Sequence, residues 1–91
     1  EPPSITRRED GSWLIDGGVV MEDLAEILPV DELPGKGSYQ TISGFIMYAL
    51  QRIPSTGDYT DSNHFRFELV DMDGNRVDKV IVTSMGKDDE K

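Results

Sequence analysis

The chain of 91 residues sets 9 lysines and arginines against 18 aspartates and glutamates, for a formal net charge of −9 and a pI near 4.3. That balance repels phosphate backbones and anionic lipid head groups, which excludes nucleic acid as a natural partner. The absence of cysteine and the single histidine exclude disulfides, thiolate metal sites and a zinc site built on several imidazoles.

A chain of this length makes one domain with a modest core. No apolar run approaches the ~20 residues that cross a bilayer, so this segment does not insert into a membrane. It begins at Glu1 without methionine, which reads as a piece of a longer protein. A small domain without covalent staples fits a reducing cytoplasm.

Glu1 to Ser4 holds two prolines and reads as an arriving linker. Ile5 to Arg8 and Ser12 to Asp16 flank Asp10-Gly11, a dipeptide suited to a two-residue type I′ turn. That register places Arg8 opposite Trp13, with the guanidinium on the indole and Ile15 on the same side as Trp13, a half-buried core residue.

Gly17-Gly18 turns the chain. Met21, Leu24, Ile27 and Leu28 then repeat at helical spacing, with Glu22 and Asp23 in the first turn and Pro29 as the stop. Val30 to Ser38, with Pro34, Gly35 and Gly37, reads as a loop.

The clearest period in the chain runs from Tyr39 to Pro54. Ile42, Phe45, Ile46, Ala49, Leu50 and Ile53 form one helical stripe, Thr41 caps its start, and Pro54 ends it. Gly44, one turn in, marks a close approach by another stretch of backbone.

After Pro54 a polar, turn-forming run leaves room for one short strand near Asp58 to Thr60. The charged residues between Tyr59 and Phe65 make a poor strand. Phe65, Phe67 and Leu69 then alternate with Arg66, Glu68 and Val70, the period of a half-buried strand. A turn at Asp73-Gly74 sets Phe67 opposite Val80, Phe65 opposite Val82 and Glu68 opposite Lys79. Apolar Ile81 between Val80 and Val82 implies that part of the second face is covered too. The fold class is α+β: a two-layer sandwich with a mostly antiparallel sheet, from two hairpins plus a short strand, and two helices on one face. Residues 5–84 form the domain, and residues 85–91 are a charged, flexible tail.

Asp71-Met-Asp73-Gly-Asn75 begins like a calcium loop, but Arg76 and Val82 stand where the loop needs glycine and a bidentate glutamate. Asp71 and Asp73 are therefore candidates only for weak divalent-cation binding, with Asp58 and Asp61 as further exposed carboxylates. His64 has Ser62, Ser55 and Asp61 near it in sequence, without the oxyanion hole or rigid turn a triad requires. Gly35-Lys36-Gly37-Ser38 lacks the spacing of a phosphate loop. Gly17-Gly18 presents either backbone N–H groups to an anion or an ordinary turn. Glu22, Asp23, Glu26, Asp31 and Glu32 form an acidic patch, either a solvated face or a docking surface for a basic partner. No catalytic residue emerges, and the chain reads as a non-enzyme.

The segments Asp10-Gly-Ser-Trp-Leu-Ile-Asp-Gly17, Asp23-Leu24, Tyr39-Gln-Thr-Ile-Ser-Gly44, Arg52-Ile-Pro-Ser-Thr-Gly57 and Phe67-Glu-Leu-Val-Asp-Met-Asp-Gly-Asn-Arg-Val-Asp78 occur in that order. Together they resemble the transporter-associated domain of the CorC/HlyC family, from about Ile5 to Thr83. The resemblance implies a cytoplasmic accessory domain of hemolysin-like or magnesium and cobalt efflux proteins. Its expected partners are a CBS pair and a transmembrane domain of the parent chain, with a homodimer if the CBS modules pair. It also implies a fold like a small FAD-binding domain of the vanillyl-alcohol-oxidase type, and so a flavin or adenine nucleotide as the alternative ligand. A dinucleotide needs a deep cleft and a pyrophosphate cradle, which this short acidic sequence does not advertise.

Overall fold

The computed structural model describes residues 2–30 and 33–85. The elements in chain order are β1 (Ile5–Arg7), β2 (Trp13–Asp16), α1 (Met21–Ala25), α2 (Ile42–Leu50), β3 (Tyr59–Ser62), β4 (Phe65–Asp73) and β5 (Arg76–Ser84). The five strands form one antiparallel sheet in the order β1-β2-β5-β4-β3.

The period of two along each strand builds the core face. Phe67 and Leu69 lie opposite Val82 and Val80, which in turn lie opposite Trp13 and Ile15. Onto this face α2 lays Ile42, Phe45 and Ile46, all buried, and Phe45 meets Phe67 edge to face with ring centroids 5.0 Å apart. Leu24, Leu28, Val30 and Leu33 complete the core from α1 and the loop after it. The expected α+β sandwich is the observed one. Leu14 and Ile81 lie opposite each other on the other face, both half-buried.

The central helix starts where expected, with Thr41 Oγ1 accepting from the Gly44 N–H at 3.1 Å. It stops earlier than Pro54: Gln51 adopts a left-handed conformation at φ 58° and caps the helix at Leu50. Ile53, expected on the apolar stripe, is 54% exposed. It precedes Pro54, whose ring disfavours helical backbone at the residue before it. The same rule shortens α1, because Leu28 precedes Pro29; Ile27 and Leu28 both donate to the Leu24 carbonyl, and Ile27 is 44% exposed. At Gly44 a Cβ would come 2.9 Å from the Cβ of Tyr39, so the approaching chain is the one leading into the helix.

Three turns differ from expectation. Around Asp10-Gly11 the Arg8 N–H donates to the Ser12 carbonyl, the Gly11 N–H donates to the Arg8 carbonyl, and Gly11 has φ 92°. The loop thus holds three residues, Glu9 to Gly11, in place of two. This register sets Arg7 opposite Trp13 and Ile5 opposite Ile15, which brings Ile5 to the core side. The cation over the indole is Arg7, at 4.7 Å, not Arg8.

The β4–β5 turn is centred on Gly74-Asn75, not Asp73-Gly74. Gly74 at φ 64° takes the first central position, the one that demands positive φ in a type II′ turn. Phe67 consequently lies opposite Val82, Phe65 opposite Ser84 and Glu68 opposite Ile81, two residues from the expected pairing. The expected Glu68–Lys79 pair does not form; Lys79 reaches Asp16 on β2 at 3.2 Å instead.

The polar run after Tyr59 does form a strand, β3, joined to β4 by Asn63 and His64 with φ 55° and 71°. Two successive left-handed residues make a type I′ hairpin. At the amino end, the Ser4 N–H donates to Asp16 Oδ2 at 3.0 Å and the Asp16 N–H to the Ser4 carbonyl, so Ser4 extends the β1–β2 ladder. Of the expected tail, residues 86–91 lie outside the described residues.

Candidate functional site

Val20 precedes α1 in extended conformation and bridges Thr41, while the Met21 N–H donates to the Gln40 carbonyl at 2.8 Å. These contacts pin the start of α1 beside the segment that enters α2. Between them the loop is drawn in by its own apolar residues, Val30 and Leu33, both buried. The Tyr39 hydroxyl donates to the Pro34 carbonyl, and the Tyr39 ring packs against Phe45 and Tyr48 at 5.4 and 5.6 Å. Burial, then the neighbouring Tyr48, pushes the Tyr39 hydroxyl above the ordinary tyrosine value, so it stays a donor at neutral pH.

The result is a surface groove of about 530 Å³ between α1 and residues 33–40. Val20, Met21, Ala25, Val30, Leu33 and Tyr39 line it, with Glu22, Lys36 and Gln40 as its polar groups. It is mostly apolar, with a few charged and polar groups among its lining residues.

A second, polar hollow of about 510 Å³ lies beside Gly17-Gly18, lined by Asp16, Thr41, Ser43, Arg76, Asp78 and Lys79 among others. Its charges are paired: Lys79 bonds Asp16 and lies 3.5 Å from Asp78. Bonding to the Ser4 backbone and to Lys79 holds the Asp16 carboxyl below its ordinary value against partial burial. The amides at the start of α2 are also spent, with Ile42 donating to the Val19 carbonyl, Ser43 to the Gly17 carbonyl and Gly44 to Thr41. Gly17 likewise donates its N–H to the Asp78 carbonyl at 2.8 Å. None of these amides is left to cradle an anion or a pyrophosphate. Gly17 is there because the Val77 carbonyl passes where its Cβ would be.

The decisive comparison is with protein families: residues 6–86 match the model of the CorC_HlyC transporter associated domain. The chain belongs to this family. The polyamine export proteins of Salmonella typhimurium and Escherichia coli K12 are 41% and 43% identical to it, over 89% and 87% of this chain but only 18% of theirs. A solved transporter associated domain from a Xylella fastidiosa hemolysin superposes with a TM-score of 0.81 at 38% identity, covering 94% of this chain and 100% of that one. A second structure of the Xylella domain, in complex with Mg++ and Mn++, gives 0.77 at 39% identity, covering 88% of this chain and 95% of that one. The CorC_HlyC chain described here thus spans about 18% of the length of these export proteins and matches the full length of a separately solved domain.

Within this CorC_HlyC domain the residues singled out by sequence fall apart spatially. Asp71 lies opposite Lys79 at an irregularity in the β4–β5 ladder, and Asp73 lies 3.5 Å from Arg76; both aspartates are exposed. Asp58 bonds Arg52, and Asp61 forms a two-bond fork with Arg66. Bonding to those guanidinium groups holds both carboxyls below the ordinary carboxylate value. Among the described residues no three acidic or histidine side chains converge as a metal cluster.

His64 serves the β3–β4 turn, with Ser55 engaged through its N–H at Asp58 and Asp61 engaged by Arg66. Gly35 lies under the Tyr48 ring, and Ser38 donates its N–H back to the Gly35 carbonyl. Of the acidic patch, Glu22, Asp23 and Glu26 are exposed on α1 and its C-cap, while Asp31 and Glu32 lie outside the described residues. The groove itself escaped sequence reasoning; its signal was the presence of apolar Val30 and Leu33 within a loop of prolines and glycines.

Proposed function

We propose that this domain is a non-enzymatic accessory module that modulates the export of small cations by the longer protein to which it belongs, acting through contacts with other parts of that protein. The observation that carries the reading is the match to polyamine export proteins of which the chain is only 18%. The apolar groove supplies a surface for such contacts, and the described residues hold no helix long and apolar enough to cross a membrane. The parent's membrane-spanning part, a CBS pair and a second copy are the contact partners proposed, with the domain on the cytoplasmic side.

The test is flux. Deleting residues 5–84 from the parent should change the rate of polyamine or cobalt export while the membrane part still inserts. Unchanged export would overturn the reading.

A weak divalent-cation response is a second component, favoured by the Xylella domain in complex with Mg++ and Mn++ and by the excess of carboxylates here. Asp71 and Asp73 are its proposed ligands, with Asp73 in competition with Arg76. Manganese at millimolar concentration should broaden the amide resonances of residues 71–75 before others. Broadening that begins elsewhere would remove these two residues from the proposal.

A further inference from the structure

We infer that the groove between α1 and residues 33–40 receives a basic, amphipathic polypeptide segment, whose apolar side chain rests on Met21, Ala25 and Leu33 and whose cations face the carboxylates of α1. The inference rests on the reading of the chain as an accessory domain, which requires a contact surface.

Charge distribution selects the partner. Asp10, Asp16, Asp58, Asp61, Asp73 and Asp78, on the sheet and its turns, each lie within 4 Å of a cation, and these pairs occupy Arg8, Arg52, Arg66, Arg76 and Lys79. Arg7 lies over Trp13. Glu9, Glu22, Asp23, Glu26, Glu68 and Asp71 have no ion pair among the described residues, and all six are exposed. Three of these, Glu22, Asp23 and Glu26, fall within five residues on α1 and its C-cap, and Glu22 lines the apolar groove, so this cluster of uncompensated negative charge steers and retains a cationic partner there.

The apolar part selects a polypeptide over a free ion. A bare cation gains nothing from Met21, Ala25 and Leu33, whereas a Leu or Phe side chain removes their surface from water. Val20, 37% exposed, leaves part of the groove's apolar wall open to such a side chain. Lys36 on the opposite wall disfavours a small polycation lying along the floor and sets polarity for a longer segment, with its charges on the α1 side. The walls are pinned by the Val20–Thr41 bridge and the Tyr39–Pro34 hydrogen bond, so little ordering accompanies binding.

The probe is a short peptide with Lys and Leu at amphipathic helical spacing, titrated into the isotope-labelled domain. Saturable shifts at Met21, Ala25, Leu33 and Tyr39 are expected. Ala25→Arg, at an exposed groove position, should abolish them, and Glu22→Lys with Glu26→Lys should weaken binding about tenfold. Unchanged sheet resonances would certify that the variants fold. Equal binding by an all-Lys peptide of the same charge, by a Glu/Leu peptide, or by spermidine at the same residues would overturn the proposal, as would shifts confined to the sheet. A silent peptide together with altered export on deletion would remove this docking chemistry and leave the accessory role standing. Binding together with unaltered export would uphold the groove and remove the role.

Discussion

A Cβ placed on Gly17 would sit 2.1 Å from the carbonyl oxygen of Val77, closer than any side chain tolerates. The same glycine donates to the Asp78 carbonyl and accepts from the Ser43 N–H, so it joins β5 to the first turn of α2. Gly17→Ala must separate these backbones and should cost about 3 kcal/mol or more. Gly18→Ala meets only the Pro3 ring, with Cγ at 3.2 Å and Cβ at 3.8 Å, and should stay within about 0.5 kcal/mol of wild type. Urea unfolding midpoints of the two variants provide the comparison.

Arg7 and Arg8 are adjacent in sequence but differ in their roles. Arg7→Ala removes the cation 4.7 Å over the Trp13 ring, so it should shift Trp13 fluorescence and cost about 0.5–1 kcal/mol. Arg8→Ala, which loses contacts to Ser12 and Asp10, should leave the indole emission as it is. The opposite result would restore the two-residue turn.

Acid sensitivity follows from Asp16, whose carboxyl is held below its ordinary 3.8 by the Ser4 backbone bond and by Lys79. A folded-state value lower than the unfolded one contributes stability above pH 3.8 that disappears as pH falls through the folded value. Lys79, raised from 10.5 first by its bond to Asp16, contributes in the opposite direction: its share is present below 10.5 and lost at higher pH. Asp16→Asn should therefore be less stable than wild type between these limits, and the difference should close in acid. A difference persisting unchanged at pH 2 would refute the account.

His64 takes φ 71° with a side chain that prefers negative φ, next to Asn63, whose amide donates to the Pro29 carbonyl. His64→Gly relieves the left-handed conformation, which costs roughly 1 kcal/mol for an L-residue, and should raise stability by about 0.5–1 kcal/mol. Asn63→Ala should lower it by a similar amount. Thermal melts of both check the turn.

These turns show where sequence reading stops. The apolar stripe of Ile42, Phe45 and Ile46, with its Thr41 cap, is local chemistry and was legible. So were the faces of β4 and β5. Their register was not, because Asp73-Gly74 and Gly74-Asn75 are both acceptable turns and a shift of two residues keeps every side chain on its own face. At the first hairpin the slip was one residue, and only the burial of Ile5 beside Ile15 decides it. The Asn63-His64 turn carries no glycine, so its place within the turn-forming run after Pro54 was not marked. Candidate sites suffered more: the charge of Asp58, Asp61 and Asp73 is visible in sequence, but the cations that the fold sets beside them are not. The groove depends on the Tyr39–Pro34 bond and on a loop without period, and such tertiary ties leave no pattern in a single sequence.

Ala25→Arg in the full-length parent tests the groove and the accessory role together. The substitution sits at an exposed position and fills the groove without disturbing the core. Export should change in the same direction as on deleting residues 5–84, while Thr83→Arg, exposed on the sheet, should export like wild type. Wild-type export by the Ala25→Arg protein, alongside altered export by the deletion, would contradict the groove as the working surface of this domain.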